Sequence, residues 1–559
     1  MRRRTSVLLG VLLAALVVLL ARVAQLQAIE GRTLQTLAHR QQLATIPLEP
    51  HRGRILDRRG RPLAVNLNAP SIYAVPGAIT HRRAFAAAIG PVLGMSSGDV
   101  EQRLTAGRHF AWLARKVERQ TAERVKALNL EGQIGFLTED RRVYPNGELA
   151  AHALGFVGID SQGLSGVELS YDHVLRGKAG RAVAEQDGVG RVLVETQRLV
   201  EAPVDGADIL LTIDQVIQHI AERELSAVLT RTKARRGSVT VIDPRTGEVL
   251  ALAVRPAYDP NAAGAVAADR WLPRPLADVF EPGSTFKIFV TAATLDAGVM
   301  GPADRVFCSG TLRVPGSHVI RDAHNQKHGW QTMGGIIKNS CNVGSAQVAS
   351  RLGKARLHRY IRRFGFGDPT GIDLPGEARG IVPAPSEWLG PALQTIAFGQ
   401  GIGTTALQLL SGATVLANDG VMVRPHIVRA VRDSQGRLVK AVGTEAVRQV
   451  VQPHVARTVL QMMVGAVDDG TGAQAAIEGY TVAGKTGTAQ KPSPYGGYDP
   501  SRFIASFLGI VPVEDPRLLV LVVLDEPQGV YFGGAIAAPV FREVASQALW
   551  YLRVPPGKR

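Results

Sequence analysis

The sequence predicts an α+β multidomain protein whose largest part holds a five-stranded antiparallel sheet flanked by helices, together with a helical subdomain. Its 559 residues leave room for two or three domains with well-buried cores. Alternating apolar segments separated by proline and glycine predict two β-hairpins, 238–242 with 248–254 and 503–511 with 518–524. Just before the second hairpin, Lys485-Thr-Gly487 adds a fifth strand. Because these strands come from both ends of one region, we expect one sheet, with the helices between them as a separate subdomain.

Long helices precede and follow these strands in the sequence. Residues 208–214 are predicted to form a strand, and the amphipathic pattern from Gln215 to about Lys233 predicts a long helix after it. A second helix is predicted at 538–552, where it can cover a face of the sheet. The Pro555-Pro-Gly segment is expected to end the fold.

The amino terminus has the pattern of a membrane anchor. Met1-Arg-Arg-Arg4 precedes an uncharged run from Thr5 to Ala21, so residues 1–5 are expected in the cytoplasm and the bulk of the chain outside. Residues 6–26 would span a bilayer if Arg22 extends its charge to the interface. The alternative is a cleaved signal peptide. The apolar run exceeds a typical signal core and lacks a convincing cleavage site, which favours a retained signal anchor.

Charge and cysteine content exclude several classes of function. The formal charge of +16 and pI of about 10.1 come from scattered basic residues without interleaved aromatics, which favours a polyanionic wall or membrane surface over nucleic acid. Two cysteines are too few for a disulfide framework. Cys308 and Cys341 could pair, but two buried free thiols are favoured. No cysteine and histidine cluster has metal-ligand spacing, so no metal is predicted.

The segment Glu281-Pro-Gly-Ser-Thr-Phe-Lys-Ile-Phe-Val290 carries the first candidate catalytic motif. Pro282-Gly283 breaks the backbone, and the residues that follow are apolar and compatible with a helix. A helix that starts at Ser284 places Lys287 one turn later on the same face. The helix dipole there favours a developing negative charge. If burial lowers the pKa of Lys287, its free amine can take the proton of the Ser284 hydroxyl.

A Ser-x-x-Lys motif alone carries little information, because it occurs by chance about once in a chain of this length. Two further motifs follow in order, Ser340-Cys-Asn342 and Lys485-Thr-Gly-Thr488. Taken singly, the first of these would indicate a polar helix cap and the second a surface turn. All three in this order are the signature of penicillin-binding proteins and serine β-lactamases.

The sequence resembles the class B penicillin-binding proteins, the monofunctional transpeptidases, and among them the division-specific FtsI type. The segments that carry this resemblance are 279–287, 397–402, 531–534, 538–541, 52–60, 142–145 and 163–171. The resemblance implies a transmembrane signal anchor at 6–26, an elongated periplasmic pedestal of the dimerisation type at 27–205, a transpeptidase domain at 206–552 and a tail at 553–559.

Within the pedestal, 27–43 is predicted as a polar stalk and 51–61 as a hairpin. The resemblance implies that this hairpin links the pedestal to the catalytic domain and contacts partners. Apolar residues at helical spacing from Thr80 to Leu130 predict an inserted helical subdomain. Glu139-Asp140 faintly matches a glycosyltransferase motif, but the Phe, His and Gly that the motif requires are missing. A glycan-polymerising activity is therefore not expected.

The resemblance also implies how the motif residues divide the chemistry. Ser284 attacks a carbonyl and forms an acyl-enzyme, while Lys287 accepts its proton. Ser340 relays a proton to the leaving amine, and Asn342 hydrogen-bonds both Lys287 and the substrate amide. Cys341 stands where the family more often has Ser or Asp, at a position that points away from the reacting centre.

The third motif is implied to bind substrate. Lys485 places a second positive charge near Ser340 and the substrate carboxylate, and Thr486 and Thr488 offer hydroxyls to that carboxylate. Gly487 leaves room for closely packed backbone. The N–H groups of Ser284 and Thr488 form the oxyanion hole. An extended D-Ala-D-Ala peptide adds along this strand as a further β-strand.

The implied function is cross-linking of peptidoglycan stem peptides at the division septum, with β-lactams as covalent inhibitors and no cofactor. The implied partners are stem peptides, lipid-linked glycan strands, an FtsW-type glycan polymerase and other division-complex membrane proteins, but no nucleic acid. An elongation-type transpeptidase is the main alternative, followed by a D,D-carboxypeptidase or β-lactamase. A class A β-lactamase would need a Glu-x-x-Leu-Asn segment, which is absent between Asn342 and Lys485. A catalytically dead scaffold would have lost a motif residue, and all are intact.

Overall fold

The structure, a computed structural model, describes residues 2–30, 32, 43–107, 110–186, 192–314 and 318–557. The chain divides into two compact units, Met1–Arg52 with Arg176–Gly206 and Gly53–Leu175 with Ala207–Arg559. The polar stalk predicted at 27–43 lies mainly outside the described residues.

The secondary structure follows in chain order. The strands are β1 Leu43–Leu48, β2 Ile55–Leu56, β3 Pro62–Ala74, β4 Ala111–Ala114, β5 Ile134–Val143, β6 Gly180–Gln186, β7 Val192–Glu201, β8 Asp208–Leu211, β9 Arg236–Ile242, β10 Val249–Arg255, β11 Arg305–Cys308, β12 Thr311–Val314, β13 His318–Arg321, β14 Gly329–Thr332, β15 Val421–Val423, β16 Val428–Arg432, β17 Leu438–Ala441, β18 Ala446–Gln449, β19 Ala483–Pro492, β20 Tyr498–Val511 and β21 Leu518–Asp525. The α-helices are α1 Arg2–Ala24, α2 Arg82–Leu93, α3 Ser97–Arg103, α4 Arg119–Lys126, α5 Ala151–Leu154, α6 Gly166–Ser170, α7 Asp172–Leu175, α8 Gln215–Thr232, α9 Arg274–Ala277, α10 Lys287–Asp296, α11 Met333–Asn339, α12 Asn342–Leu352, α13 Lys354–Arg363, α14 Ala392–Ile396, α15 Ala406–Ala417, α16 Pro453–Asp468, α17 Gly533–Ile536 and α18 Ala538–Tyr551.

The first unit contains the predicted apolar helix and a small sheet. Helix α1 continues into a π-helical turn, and the most apolar 18 residues within Arg3–Ile29 have a mean hydropathy of 2.8, with none of them buried. At 1.5 Å per residue this helix exceeds the roughly 30 Å hydrocarbon core of a bilayer, so it is long and apolar enough to cross one. In the same unit, β1, β6 and β7 form an antiparallel sheet in that order.

A seven-stranded sheet in the second unit contains the hairpin predicted at 51–61. Its order is β17-β16-β8-β2-β3-β4, with β5 paired to β3. Strand β2 runs antiparallel to β3 but parallel to β8, with Ile55 opposite Ile209. The predicted turn is confirmed, because the Gly60 N–H donates to the Asp57 carbonyl at 2.9 Å. Strands from the predicted pedestal segment and from the predicted transpeptidase segment therefore share one sheet.

Buried charges fix this hairpin to the start of α8. Asp214 caps α8 by accepting the Val216 N–H at 3.0 Å, and it pairs with Arg59 at 3.3 Å and Arg61 at 3.1 Å. Asp57 also forms a salt bridge with Arg61. Burial raises the pKa of Asp57, but hydrogen bonds from Arg61 outweigh it and leave the pKa below its ordinary value. This supports the linking role inferred for the segment.

The predicted five-stranded antiparallel sheet is confirmed. Its order is β10-β9-β21-β20-β19, antiparallel throughout. The apolar run of β21 alternates between two cores, with Leu518, Val520, Val522 and Leu524 packed toward α8 and α18 and Leu519, Leu521 and Val523 packed toward the helical subdomain. A strand buried on both faces reads as continuous apolar sequence because its alternate residues enter different cores. The edge strands of this sheet are β10 and β19.

The region predicted as a helical insertion is mostly helical. Helices α2, α3 and α4 pack with β3 around a small core that includes Phe85, Ile89 and Val100. The short strand β4 lies between α3 and α4 and pairs with β3, which places Ile72 opposite Ala114. The helical periodicity did not predict this strand, because four residues are too few to establish an alternation.

Candidate active site

Ser284 lies in a 3₁₀ turn, Gly283–Phe286, which leads directly into α10. Phe286, Ile288 and Phe289 are buried and anchor this turn and helix in the core. The turn needs glycine at 283, where φ is +56° and a Cβ would lie 3.2 Å from the Cβ of Ala489 on β19. Ser284 is therefore held against the third motif at the amino-terminal end of α10.

The side chain of Lys287 reaches back to Ser284. Lys287 is 1% exposed, and its Nζ lies 3.0 Å from Ser284 Oγ. It donates to Asn342 Oδ1 at 2.7 Å and to the Ser340 carbonyl. A neutral amine has two N–H donors and one lone pair. With both donors on oxygens that can only accept, the lone pair is left for the Ser284 hydroxyl.

The pKa of Lys287 is lowered to about 8 by burial, which disfavours the charged ammonium. Cys341 and Asp322 lie close enough to raise it again in part. An ordinary lysine amine is almost fully protonated at neutral pH, whereas a group with this pKa is a free amine in a useful fraction of molecules. Lys287 therefore has the protonation behaviour that a general base requires.

Ser340 joins the first motif to the third. It is the C-cap of α11, in the left-handed region with φ +57°, which is uncommon for a residue other than glycine. Its Oγ lies 3.3 Å from Lys287 Nζ and 2.9 Å from Lys485 Nζ. One hydroxyl thus contacts both lysines, as a proton relay requires.

Lys485 is fully buried on β19 and also donates to the Thr486 carbonyl at 3.0 Å. Its pKa lies well below the ordinary value, first because burial disfavours the charge and second because Lys287 repels it. Lys287 and Lys485 are both buried and contact the same Ser340 hydroxyl, so the state in which both amines are protonated is unfavourable. An anionic substrate group would favour the protonated form of Lys485.

Strand β19 is an edge of the five-stranded sheet and borders the turn that carries Ser284. A Cβ on Gly487 would lie 2.2 Å from Ser506 Oγ and 2.9 Å from Thr285 Cγ2, so only glycine fits. The Thr488 hydroxyl accepts the Gly533 N–H at 3.1 Å. The Thr486 hydroxyl donates to Thr471 at 3.1 Å. The structure therefore brings every predicted motif residue to one place.

Cys341, the middle residue of the second motif, is buried behind the catalytic groups. Both cysteines are buried free thiols, as favoured from the sequence. The Sγ of Cys341 accepts the Gly344 N–H at 3.0 Å, which caps α12. Cys308 and Cys341 donate to Asp322 Oδ2 at 2.7 and 3.1 Å. These separations are shorter than the roughly 3.5 Å between sulfur and oxygen ligands of one zinc ion, so the three groups form hydrogen bonds.

Replacing Cys341 by serine should leave catalysis nearly unchanged. A serine hydroxyl can cap the helix as the thiol does, so acylation by labelled penicillin should stay within a few-fold of the wild type. The free energy of unfolding should change by no more than about 1 kcal/mol. A collapse of the acylation rate in a variant that still folds would contradict this and assign the thiol a direct role.

Two residues close to the motifs, Glu281 and Asp322, had no role in the sequence-based interpretation. Glu281, three residues before Ser284, accepts the Gly401 N–H at 2.8 Å and the Tyr498 hydroxyl at 3.1 Å through Oε1. Burial raises its pKa. Asp322 was missed as well, because it lies outside every motif. Glu281 lies in the segment 281–290 that carries the first motif, so its position in the sequence could have indicated it.

The comparisons with known proteins agree with this geometry. Residues 237–546 match the family of the penicillin binding protein transpeptidase domain, and residues 47–211 match the penicillin-binding protein dimerisation domain. Peptidoglycan D,D-transpeptidase FtsI of Escherichia coli (strain K12) is 34% identical over 99% of this chain and 92% of its own. Stage V sporulation protein D of Bacillus subtilis (strain 168) is 36% identical over 99% of this chain and 86% of its own.

Solved structures extend the similarity to the fold. Penicillin binding protein 3 of Mycobacterium tuberculosis, in a complex with ampicillin, superposes with a TM-score of 0.73 and 28% identity, covering 92% of this chain and 98% of its own. A peptidoglycan synthetase from Bifidobacterium adolescentis ATCC 15703 superposes with a TM-score of 0.74 and 26% identity, covering 92% of this chain and 98% of its own.

Proposed function

Since this chain belongs to the class B penicillin-binding proteins and is a peptidoglycan D,D-transpeptidase, we propose that it cross-links stem peptides at the division septum through an acyl-enzyme on Ser284. The observation that carries the catalytic part is the hydrogen-bonded row formed by Ser284, Lys287, Ser340 and Lys485. The septal part rests on the similarity to FtsI.

In the acylation step, Ser284 Oγ attacks the carbonyl carbon of the penultimate D-alanine. The serine proton passes to the free amine of Lys287, 3.0 Å away. As the peptide bond breaks, the terminal D-alanine leaves with a proton delivered through the Ser340 hydroxyl. An ester between Ser284 and the donor peptide remains, and the lysines have returned to their starting protonation.

In the second step, the amine of a neighbouring stem peptide attacks this ester. Its excess proton passes through Ser340 and Lys287 to Ser284 as the ester breaks, so one amide bond forms and the serine is regenerated. The donor peptide adds along the open edge of β19, and the N–H groups of Ser284 and Thr488 stabilise the oxyanion of both steps. Lys485, with the Thr486 and Thr488 hydroxyls, binds the donor carboxylate.

The division role is tested by depleting the protein in its native cell. Filamentous cells with unfinished septa are the expected result, since cross-linking would fail only at the division site. Rounded cells would assign the enzyme to elongation instead. A sporulation protein is as similar to this chain as FtsI is, so normal growth with defective spores is a third outcome, and it too would contradict the septal role.

The apolar helix at 6–26 is proposed to serve as a single-pass anchor in the inner membrane beside an FtsW-type polymerase. A protein that begins at Gln27 keeps all three motifs, so we expect it to be soluble and acylated by penicillin but unable to support division. Tethering raises the local concentration of enzyme near its partner, and its loss should lower cross-linking by orders of magnitude.

An unrelated membrane anchor in place of 6–26 is the matched control. If any anchor restores division, tethering suffices and the partner contact lies in the pedestal. Full function of the soluble protein would contradict the membrane-complex proposal.

A further inference from the structure

We infer that Asp322 is a positioning residue for the transpeptidase reaction, holding Asn342 and the Ser340 turn in register with Lys287. The inference rests on the proposed acyl-enzyme at Ser284. Asp322 is 4% exposed and directly follows β13, which forms a hairpin with β12. The carboxylate therefore reaches the second motif from a different segment of the helical subdomain.

The carboxylate binds the start of α12 through one oxygen. Asp322 Oδ1 accepts the N–H groups of Asn342 and Val343, the latter at 3.3 Å. These are the first two N–H groups of the helix, which have no partner within it. Cys341 Sγ accepts the third, from Gly344. The amino terminus of α12 is thus fixed by a charge supplied from β13.

The same segment also orients the Asn342 side chain. Asn342 Nδ2 donates to the Arg321 carbonyl at 3.1 Å, one residue before Asp322. This bond determines which end of the amide faces the site, so Oδ1 points to Lys287 Nζ at 2.7 Å. Backbone and side chain of Asn342 are therefore both held by the end of β13. A shift of this end would move the amide that orients the Lys287 amine.

The second carboxylate oxygen is bound by two thiols. Cys308 and Cys341 both donate to Asp322 Oδ2. Burial and the neighbouring Asp322 charge raise the pKa of the Cys341 thiol, which keeps its proton on sulfur. A negative charge fixed behind Asn342 also favours the ammonium that Lys287 becomes when it takes the serine proton.

The test measures acylation of the full-length protein, in detergent, by a fluorescent penicillin. The noncovalent dissociation constant, the acylation rate constant and the labelled fraction are determined separately. In Asp322→Asn we expect the rate constant to fall about 10- to 100-fold, as for displaced catalytic groups, with the dissociation constant and labelled fraction nearly unchanged. The acid limb of the pH profile should shift to lower pH, because burial lowers the pKa of Lys287 and the Asp322 charge, which the variant removes, raises it.

Two variants serve as matched controls. Asp304→Asn removes an exposed loop carboxylate that accepts the Gly301 N–H, and it should acylate at the wild-type rate. Cys308→Ser keeps a donor to Oδ2 and leaves the Oδ1 bonds intact, so its rate should also be preserved. Neither residue is part of the three motifs, although the Cys308 thiol contacts Cys341 in the second motif.

Each other result overturns the inference. An unchanged rate constant in Asp322→Asn would show that the carboxylate does not position the site. A reduced labelled fraction with a normal rate in the labelled molecules, or failure of this variant alone to fold, would assign Asp322 to stability only. Absence of wild-type labelling at Ser284 would instead contradict the proposed function.

Discussion

Replacing Ser284 by alanine should abolish covalent labelling by penicillin and cross-linking activity together. The hydroxyl is the only group in the row that lies at the start of α10 and beside the Lys287 amine. Removing the nucleophile of such a unit typically costs about 10⁶-fold in rate, so the residual signal should be undetectable. Gel fluorescence and mass mapping of the labelled peptide provide the measurement.

The Ser284→Ala protein should fold like the wild type, because the one hydrogen bond of the Ser284 hydroxyl among the described residues is with Lys287. Ser309→Ala, which changes an exposed serine that bonds the Thr311 carbonyl, is the matched control and should label fully. A label on the same peptide of the Ser284→Ala protein would show that another residue is the nucleophile.

Replacing Lys287 by arginine should lower the acylation rate almost as much as Ser284→Ala does. A guanidinium stays protonated at any working pH and cannot accept the serine proton. We expect the acylation rate to fall by at least about 10³-fold. Lys354→Arg changes a lysine that donates to the Trp388 carbonyl and should retain full activity.

The wild-type rate should depend on pH through the same amine. Lys287 has a pKa of about 8, so its free-amine fraction is small below pH 7 and nearly complete above pH 9. The acylation rate should therefore rise with pH and be half-maximal near 8, while the residual rate of Lys287→Arg should show no such rise. A wild-type profile that falls over this range would rule out Lys287 as the base.

The sequence predicted the motif residues of the active site and their helices and strands, but not the contacts between distant segments that hold these residues in place. Lys287 and Lys485 belong to short local motifs, and their strand or helix followed from apolar patterns around them. Asp322 could not be predicted, because its contact with Asn342 depends on how the β12–β13 hairpin lies against α12. The left-handed backbone conformation of Ser340 could not be predicted either, because serine rarely adopts it and no local sequence pattern indicates it.

The shared seven-stranded sheet constrains the order in which the chain can fold. Strand β2 is made early, but its parallel partner β8 follows the whole pedestal, and β16 on the far side of β8 follows most of the transpeptidase domain. Pairing between segments so distant in sequence forms slowly, because the intervening loop must first be closed. Until β16 has been synthesised, the pedestal therefore presents an unpaired strand edge, which favours aggregation. The native sheet can be completed only once β16 is present, so the two halves of the chain cannot complete their folding independently.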